Sequence, residues 1–213
     1  GAPDFEFVRI IELLEARQHE TVLEVNLDAL VHNFNFYRSR LNPDTRIVCM
    51  LKAFGYGAGS YELAKTLQQQ GASYIAVAAH DEGVALREAG ITMPIMVLNP
   101  KVVNYKALFD YRLEPEVFSF DMLNEIVREA KKFGVKDYPI HVKIDTGMHR
   151  LGFLYDEVER LVDILTHQDY VRPASIFSHL CTADDLTNDD YAHFQLEYFS
   201  RCCDAFCGHF PTK

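Results

Sequence analysis

Along most of the chain, short apolar runs alternate with stretches whose apolar residues recur at helical spacing. Val22 to Leu27 reads as a first strand. Asp28 reads as an N-cap, and Leu30, Val31, Phe34, Tyr37 and Leu41 mark one helical face that Pro43 ends. Ile47 to Leu51 reads as a buried strand. A glycine-rich turn follows, then a helix from Tyr61 to Gln70 stopped by Gly71. Tyr74 to Ala79 is a strand, Asp81 to Ala89 a helix stopped by Gly90, Ile95 to Leu98 a strand, and Tyr105 to Tyr111 a short helix.

The second half repeats the theme. Leu113 to Phe118 is a short strand. Met122, Leu123, Ile126, Val127, Ala130 and Phe133 fall at helical spacing, with Gly134 behind them. Ile140 to Ile144 is a strand, Val158, Leu161, Val162 and Leu165 give another helix face, and Ala174 to Phe177 is a strand. Phe194, Tyr198, Cys202 and Phe206 mark a last helix. The unit recurs about every 25 to 35 residues, the βαβ rhythm of a parallel sheet.

Two architectures have that rhythm: an open doubly wound sheet and a (β/α)8 barrel. No G-x-G-x-x-G follows a strand, which disfavours the dinucleotide-binding version. Alternation this long without a break in composition favours the barrel. Seven strand candidates are present, and nothing around Pro211-Thr212-Lys213 resembles a closing strand. The expectation is therefore an α/β chain carrying an incomplete barrel, with open strand edges.

Composition narrows the partners. Of 213 residues, 48% are hydrophobic and 24% charged, the profile of a globular protein able to bury a core. The net charge of -10 argues against nucleic acid and against anionic membrane surfaces. No apolar run has the length of a membrane span, and Gly1 to Glu20 lack the apolar stretch of a signal peptide. The five cysteines are an odd number and no disulfide framework, which suggests the reducing cytoplasm.

In both architectures chemistry gathers where strands end at their carboxyl edges. After Ile47 to Leu51 comes Lys52-Ala53-Phe54-Gly55-Tyr56-Gly57-Ala58-Gly59. After Ile140 to Ile144 comes Asp145-Thr146-Gly147-Met148-His149-Arg150-Leu151-Gly152. After Ala174 to Phe177 comes Ser178-His179. On a barrel these three clusters converge at one mouth. A partly desolvated strand-end lysine such as Lys52 is suited to condense with a carbonyl, and the nearby glycines let backbone approach a bound group. The plain alternative is a surface lysine beside a turn. Arg150 has the fork of donors that binds a carboxylate, a phosphate or a phenolate, or it simply pairs with Asp145. His179 is a base, a ligand or a structural histidine. Lys143 stands inside an apolar strand, so it either points inward and is paired or reaches the rim.

Cys202, Cys203, Cys207 and His209 invite a zinc reading, but Cys203 and Cys207 lie four apart on an amphipathic helix, and no second ligand pair has zinc-finger spacing. Asp184, Asp185, Asp189 and Asp190 lack the spacing and glycine of a calcium loop.

The segment Lys52 to Gly59 resembles the pyridoxal-phosphate attachment signature of alanine racemases, usually K-A-x-A-Y-G-H-G. It departs at Gly55 and Ala58 and keeps the lysine and tyrosine. His141 to Gly152 resembles the second signature of that family. Val22 to Leu30, Ala78 to Gly83 and Phe177 to Leu180 match further landmarks in order, so the resemblance covers about residues 21 to 210. Gly1 to Phe7 resembles the tail of the ligase that adds D-alanyl-D-alanine to the muramoyl tripeptide, with Pro3 where an arginine is usual. In some bacteria that ligase and the racemase are one polypeptide. On this reading residues 1–20 are a ligase tail with a linker helix from Glu6 to Gln18, and residues 21–213 are a partial pyridoxal-phosphate-binding barrel.

The resemblance implies a (β/α)8 barrel followed by a β domain, with the last two barrel strands and the β domain missing from this sequence. It implies a cytoplasmic homodimer that interconverts L-alanine and D-alanine for peptidoglycan, with these 213 residues inactive alone. Lys52 would hold pyridoxal 5'-phosphate as a Schiff base and act as the base on one face of the substrate. Tyr56 would contact the phosphate. Arg150 would contact the phenolic oxygen and the substrate carboxylate. His179 would support an arginine facing the pyridine nitrogen. Lys143 matches a position that some members carry as a carbamate. Other pyridoxal-phosphate barrels (a decarboxylase, a broad-spectrum racemase, a cofactor carrier) and a non-catalytic fragment are the alternatives.

Overall fold

In the computed structural model of the chain, the described residues are 7–9, 24–51, 58–98, 101–146, 151–178 and 189–210. The chain divides into one unit of residues 1–101 with 111–113 and a second of residues 102–110 with 114–213.

The first unit contains β1 (Phe7–Arg9), β2 (Glu24–Asn26), α1 (Leu27–Ser39), β3 (Val48–Leu51), α2 (Ala58–Gln69), β4 (Tyr74–Val77), α3 (His80–Glu88) and β5 (Ile95–Val97). β3, β4 and β5 pair in parallel, with Leu51 level with Val77 and Val77 level with Val97. Ile75, Ala76 and Val77 are buried, as are Ile95, Met96 and Val97. Unbroken apolar runs of this kind belong to parallel strands covered on both faces. Arg87 of α3 clamps the turns beyond it: its guanidinium donates to the carbonyls of Tyr111 at 2.8 Å, Ile91 at 2.8 Å, Met93 at 2.6 Å and Arg112 at 3.4 Å.

Two expectations change here. The cap of α1 is Asn26, whose side chain accepts from the Ala29 amide, and Asp28 sits in the first turn. Asparagine caps as well as aspartate, and Asp28 is placed favourably against the helix dipole. Phe7–Arg9 is a strand, pairing antiparallel with β2, where a linker helix from Glu6 was expected. The remainder of that helix, residues 10–18, lies outside the described residues.

The second unit holds α4 (Tyr105–Asp110), most of β6 (Leu113–Val117), α5 (Phe120–Lys132), β7 (Tyr138–Lys143), a 3-10 turn (Tyr155–Glu157), α6 (Val158–Thr166), β8 (Val171–Phe177) and α7 (Asp189–Cys207). β6, β7 and β8 pair in parallel. Ser119 caps α5 through the Met122 amide, and Leu123, Ile126 and Ala130 form its buried stripe. Val158, Leu161, Val162 and Leu165 do the same for α6. Each such buried aliphatic side chain contributes roughly 1.5–3 kcal/mol.

β7 and β8 begin earlier than the sequence suggested, because each carries a proline near its start, Pro139 and Pro173, and proline reads as a break. Ile140 pairs with Pro173 and His141 with Ser175, so Ala174 is one extra residue in β8. This irregularity keeps Ser175 opposite His141.

Candidate active site

Three strands end directly before the three polar clusters of the sequence. In the first unit β3 ends at Leu51, one residue before Lys52. In the second, β7 ends at Lys143, shortly before the segment with Arg150, and β8 ends at Phe177, two residues before His179. Lys52, Tyr56, Arg150 and His179 themselves lie outside the described residues. Lys143 is described, and so is the framework from which each cluster departs.

The second unit's sheet has two unlike faces. Val117, Ile140, Val142 and Ile176 are buried on one of them. The other carries ionisable side chains, because Glu114 and Glu116 alternate on β6 and His141 and Lys143 alternate on β7. His141 Nε2 lies 3.1 Å from Glu114 Oε1, and His141 Nδ1 lies 2.5 Å from the Ser175 hydroxyl. Lys143 Nζ lies 3.3 Å from Glu116 Oε1. Glu116 is 2% exposed and His141 1%, whereas the Lys143 side chain keeps 24%. Buried charges need partners of this kind, since an isolated one would be strongly disfavoured. Lys143 thus points onto the polar face and is paired, the first of the two alternatives posed by the sequence.

Beyond β7 the chain folds back on itself. The Phe153 amide donates to the Lys143 carbonyl at 2.9 Å, and the Asp145 amide donates to the Phe153 carbonyl at 3.0 Å. This bridge closes the base of the segment that contains Arg150. Gly152 has φ +137, and a Cβ there would meet the Asp145 nitrogen at 2.5 Å, so only glycine allows the approach. A second tie links the ends of β7 and β8: Thr146 Oγ1 lies 2.8 Å from Ser178 Oγ. Gln195 of α7, fully buried, donates its amide to Thr146 Oγ1 at 3.2 Å.

Glu114, Glu116, Ser175 and Gln195 were not singled out from the sequence. The alternation Glu114, Glu116 inside the apolar run Leu113 to Val117 is the signal that could have found two of them, since residues two apart in a strand share a face. Nothing in the sequence marks Gln195. Burial pushes Cys202 up to about 11 and Cys203 up to about 12, with Cys207 and Cys202 adding to the second, so both stay as thiols at neutral pH. Among the described residues no cluster of histidine, cysteine and acid side chains is placed to hold a metal, and no helix is long and apolar enough to cross a membrane.

The donors that follow the strand ends are an amine, a phenol, a guanidinium and an imidazole. That set fits pyridoxal phosphate, which offers an aldehyde, a phosphate and a phenolic oxygen.

Known proteins agree with this framework. The family described as alanine racemase, N-terminal domain, matches residues 25–212. An alanine racemase of Synechocystis is 37% identical over 170 residues, covering 76% of this chain and 44% of the relative. The solved alanine racemase of Clostridium difficile 630 superposes with a TM-score of 0.76 at 31% identity, over 84% of this chain and 47% of that one. An alanine racemase from Bartonella henselae, solved with covalently bound pyridoxal phosphate, shares the fold at a TM-score of 0.72 and 24% identity, over 85% of this chain and 53% of that one. The chain spans about half the length of the relatives it matches. With its parallel βα order, its two strand-end signatures and a match from residue 25 to 212, the chain belongs to the alanine racemase family and corresponds to its N-terminal barrel domain.

Proposed function

We propose that this chain is the cofactor-holding part of a pyridoxal-phosphate-dependent alanine racemase that interconverts L-alanine and D-alanine. One observation carries the reading. The lysine signature follows β3 immediately and the second signature begins on β7, so both occur at carboxyl ends of parallel strands, where α/β proteins put their chemistry.

When bound, pyridoxal phosphate supplies an electron sink that stabilises negative charge at the substrate Cα. The chain's own residues do the rest. Lys52 would hold the cofactor through its amine and, once the substrate amine has displaced it, would move a proton at Cα on one face. The Tyr56 hydroxyl binds the phosphate. Arg150 orients the substrate carboxylate and the phenolic oxygen with two arms of one guanidinium. His179 supports an arginine that faces the pyridine nitrogen. A tyrosine from a partner subunit's β domain would serve the opposite face, which makes the working form a homodimer. The product fits a cytoplasmic supply of D-alanine for peptidoglycan, and the first 20 residues fit the tail of a muramoyl-tripeptide ligase fused in front.

The test is Lys52→Ala in the complete protein. Wild type should show a visible absorbance band that borohydride removes, leaving a reduced adduct on Lys52. The variant should lose the band and essentially all racemisation. A reducible adduct on another lysine would remove Lys52 from its role. No band in wild type would favour a non-catalytic domain, and turnover of a different amino acid would favour another pyridoxal-phosphate enzyme.

A further inference from the structure

The end of α7 carries Cys202, Cys203 and Cys207, and the three are not equivalent. Cys202 is 0% exposed, Cys203 is partly exposed, and Cys207 is exposed at the last position of the helix. Residues four apart share a helix face, and the side chains of Cys203 and Cys207 are hydrogen-bonded to each other. Cys202 is turned about 100° away from Cys203 around the helix. The space beyond Cys207 is open: a Cβ on Gly208 would meet nothing within 4 Å.

Geometry decides what such a pair can hold. A structural zinc site wants four donors, and among the described residues no group of three or more ligating side chains is placed for a metal. A disulfide does not fit the helix either. It needs Cβ atoms about 3.8 Å apart, whereas helical neighbours at i and i+4 hold theirs about 5–6 Å apart. That spacing suits one bridging atom bonded to both sulfurs.

We infer that Cys203 and Cys207 form a two-sulfur site for trivalent arsenic, with the intact end of α7 as its template.

Trivalent arsenic is thiophilic and three-coordinate, and it exchanges oxygen for sulfur. Cys203 and Cys207 fill two positions. The third keeps a hydroxyl or an organic group, because Cys202 is buried and belongs to another side of the helix. With a monosubstituted arsenic oxide, two As–S bonds form, two S–H bonds break, and the arsenic-bound oxygen leaves with both protons as one water. No electrons are transferred and arsenic stays trivalent. Burial, with the neighbouring Cys207 and Cys202, pushes the Cys203 thiol up to about 12. This does not oppose the exchange, since the proton departs with the oxygen. Once the first sulfur is bound, the second bond forms within one molecule, and such linkage strengthens binding by roughly 10²–10⁴. A monothiol in solution has no such advantage, whereas a dithiol does.

The experiment uses the complete protein, reduced with a phosphine, and phenylarsine oxide as the probe. Intact mass should show one adduct, formed with loss of one water, that survives excess mercaptoethanol and is stripped by ethanedithiol. Far-ultraviolet circular dichroism should be unchanged on binding. Cys207→Ala alters an exposed side chain and should weaken retention against mercaptoethanol about 100-fold or more. Cys203→Ser should do the same, and Cys202→Ala should retain the adduct. The inference is overturned if wild type gives no mercaptoethanol-resistant adduct, if Cys207→Ala retains it, or if binding abolishes helical signal. Should Cys203→Ser fail to fold, Cys207→Ala decides. None of these arms uses pyridoxal phosphate, so their outcome is independent of the racemase reading.

Discussion

Gly152 approaches Asp145 so closely that a Cβ on the glycine would fall 2.5 Å from the aspartate's backbone nitrogen. The contact belongs to the bridge that closes the Arg150 segment at its base. Gly152→Ala should therefore strain the backbone at φ +137 and push the two strands of that bridge apart. The expected cost is about 1–3 kcal/mol in urea unfolding, with a larger loss of kcat/KM than any change at an exposed glycine. Equal stability of Gly152→Ala and wild type would mean that the segment relaxes freely.

Gln195 is fully buried and donates to Thr146, which in turn bonds Ser178. Gln195→Leu fills a similar volume and removes the donor. We expect about 1–2 kcal/mol of destabilisation, together with a fall in kcat, because the ends of β7 and β8 lose their common tie. Gln195→Glu should recover packing without recovering the donated bond. If both variants keep wild-type kcat, the tie is purely structural.

Arg87 makes four hydrogen bonds to backbone carbonyls within the first unit. Arg87→Ala should destabilise by about 2–3 kcal/mol, the scale of charged hydrogen bonds left unmade. Lysine cannot reproduce the fork, so Arg87→Lys should recover less than half of that. Chemical denaturation measures both, and a loss below about 0.5 kcal/mol in the alanine variant would contradict the clamp.

Arg150→Lys keeps the charge and loses the planar pair of donors. Under the proposed function it should lose about 1.5–3 kcal/mol of transition-state stabilisation, read from kcat/KM for L-alanine. Unchanged kinetics would refute the assignment of the substrate carboxylate to this residue.

Burial raises the Cys202 and Cys203 thiols from 9.0 to about 11 and about 12. In the unfolded chain these thiols ionise first as pH rises past 9, while the folded protein still holds their protons. The unfolded state then binds fewer protons, so stability falls with rising pH between about 9 and 12. A Cys202→Ala, Cys203→Ala variant should show a shallower alkaline decline in urea titrations. At neutral pH, native-state alkylation should label exposed Cys207 well before the other two. Labelling of Cys203 at the Cys207 rate would show that its burial is transient.

The fold was legible because its signals are local. The apolar runs at 74–77 and 95–97, and the helical stripes of α5 and α6, are where periodicity put them. Gly71, Gly90 and Gly134 all end helices with positive φ, as their positions suggested. What was missed had physical reasons. Pro139 and Pro173 disguised the starts of β7 and β8, and β1 pairs with a strand 15 or more residues away, which no local pattern encodes. At the candidate site, Lys143 was legible as a lysine needing a partner. Its partner Glu116 was not, because it comes from a different strand and only the parallel register brings the two together.

The division of the second sheet into an ionic and an apolar face also fixes which pairing the chain accepts. A strand's side chains alternate, so sliding β7 by one residue against its neighbours would turn His141 and Lys143 onto the face of Val117 and Ile176, and turn Ile140 and Val142 onto the face of Glu114 and Glu116. The His141–Glu114 and Lys143–Glu116 contacts would both be broken in a single step. A uniformly aliphatic sheet would pass such a slip at little cost. Here the four ionisable residues of that face act as a check on register, disfavouring a misaligned strand next to the polar clusters that follow it.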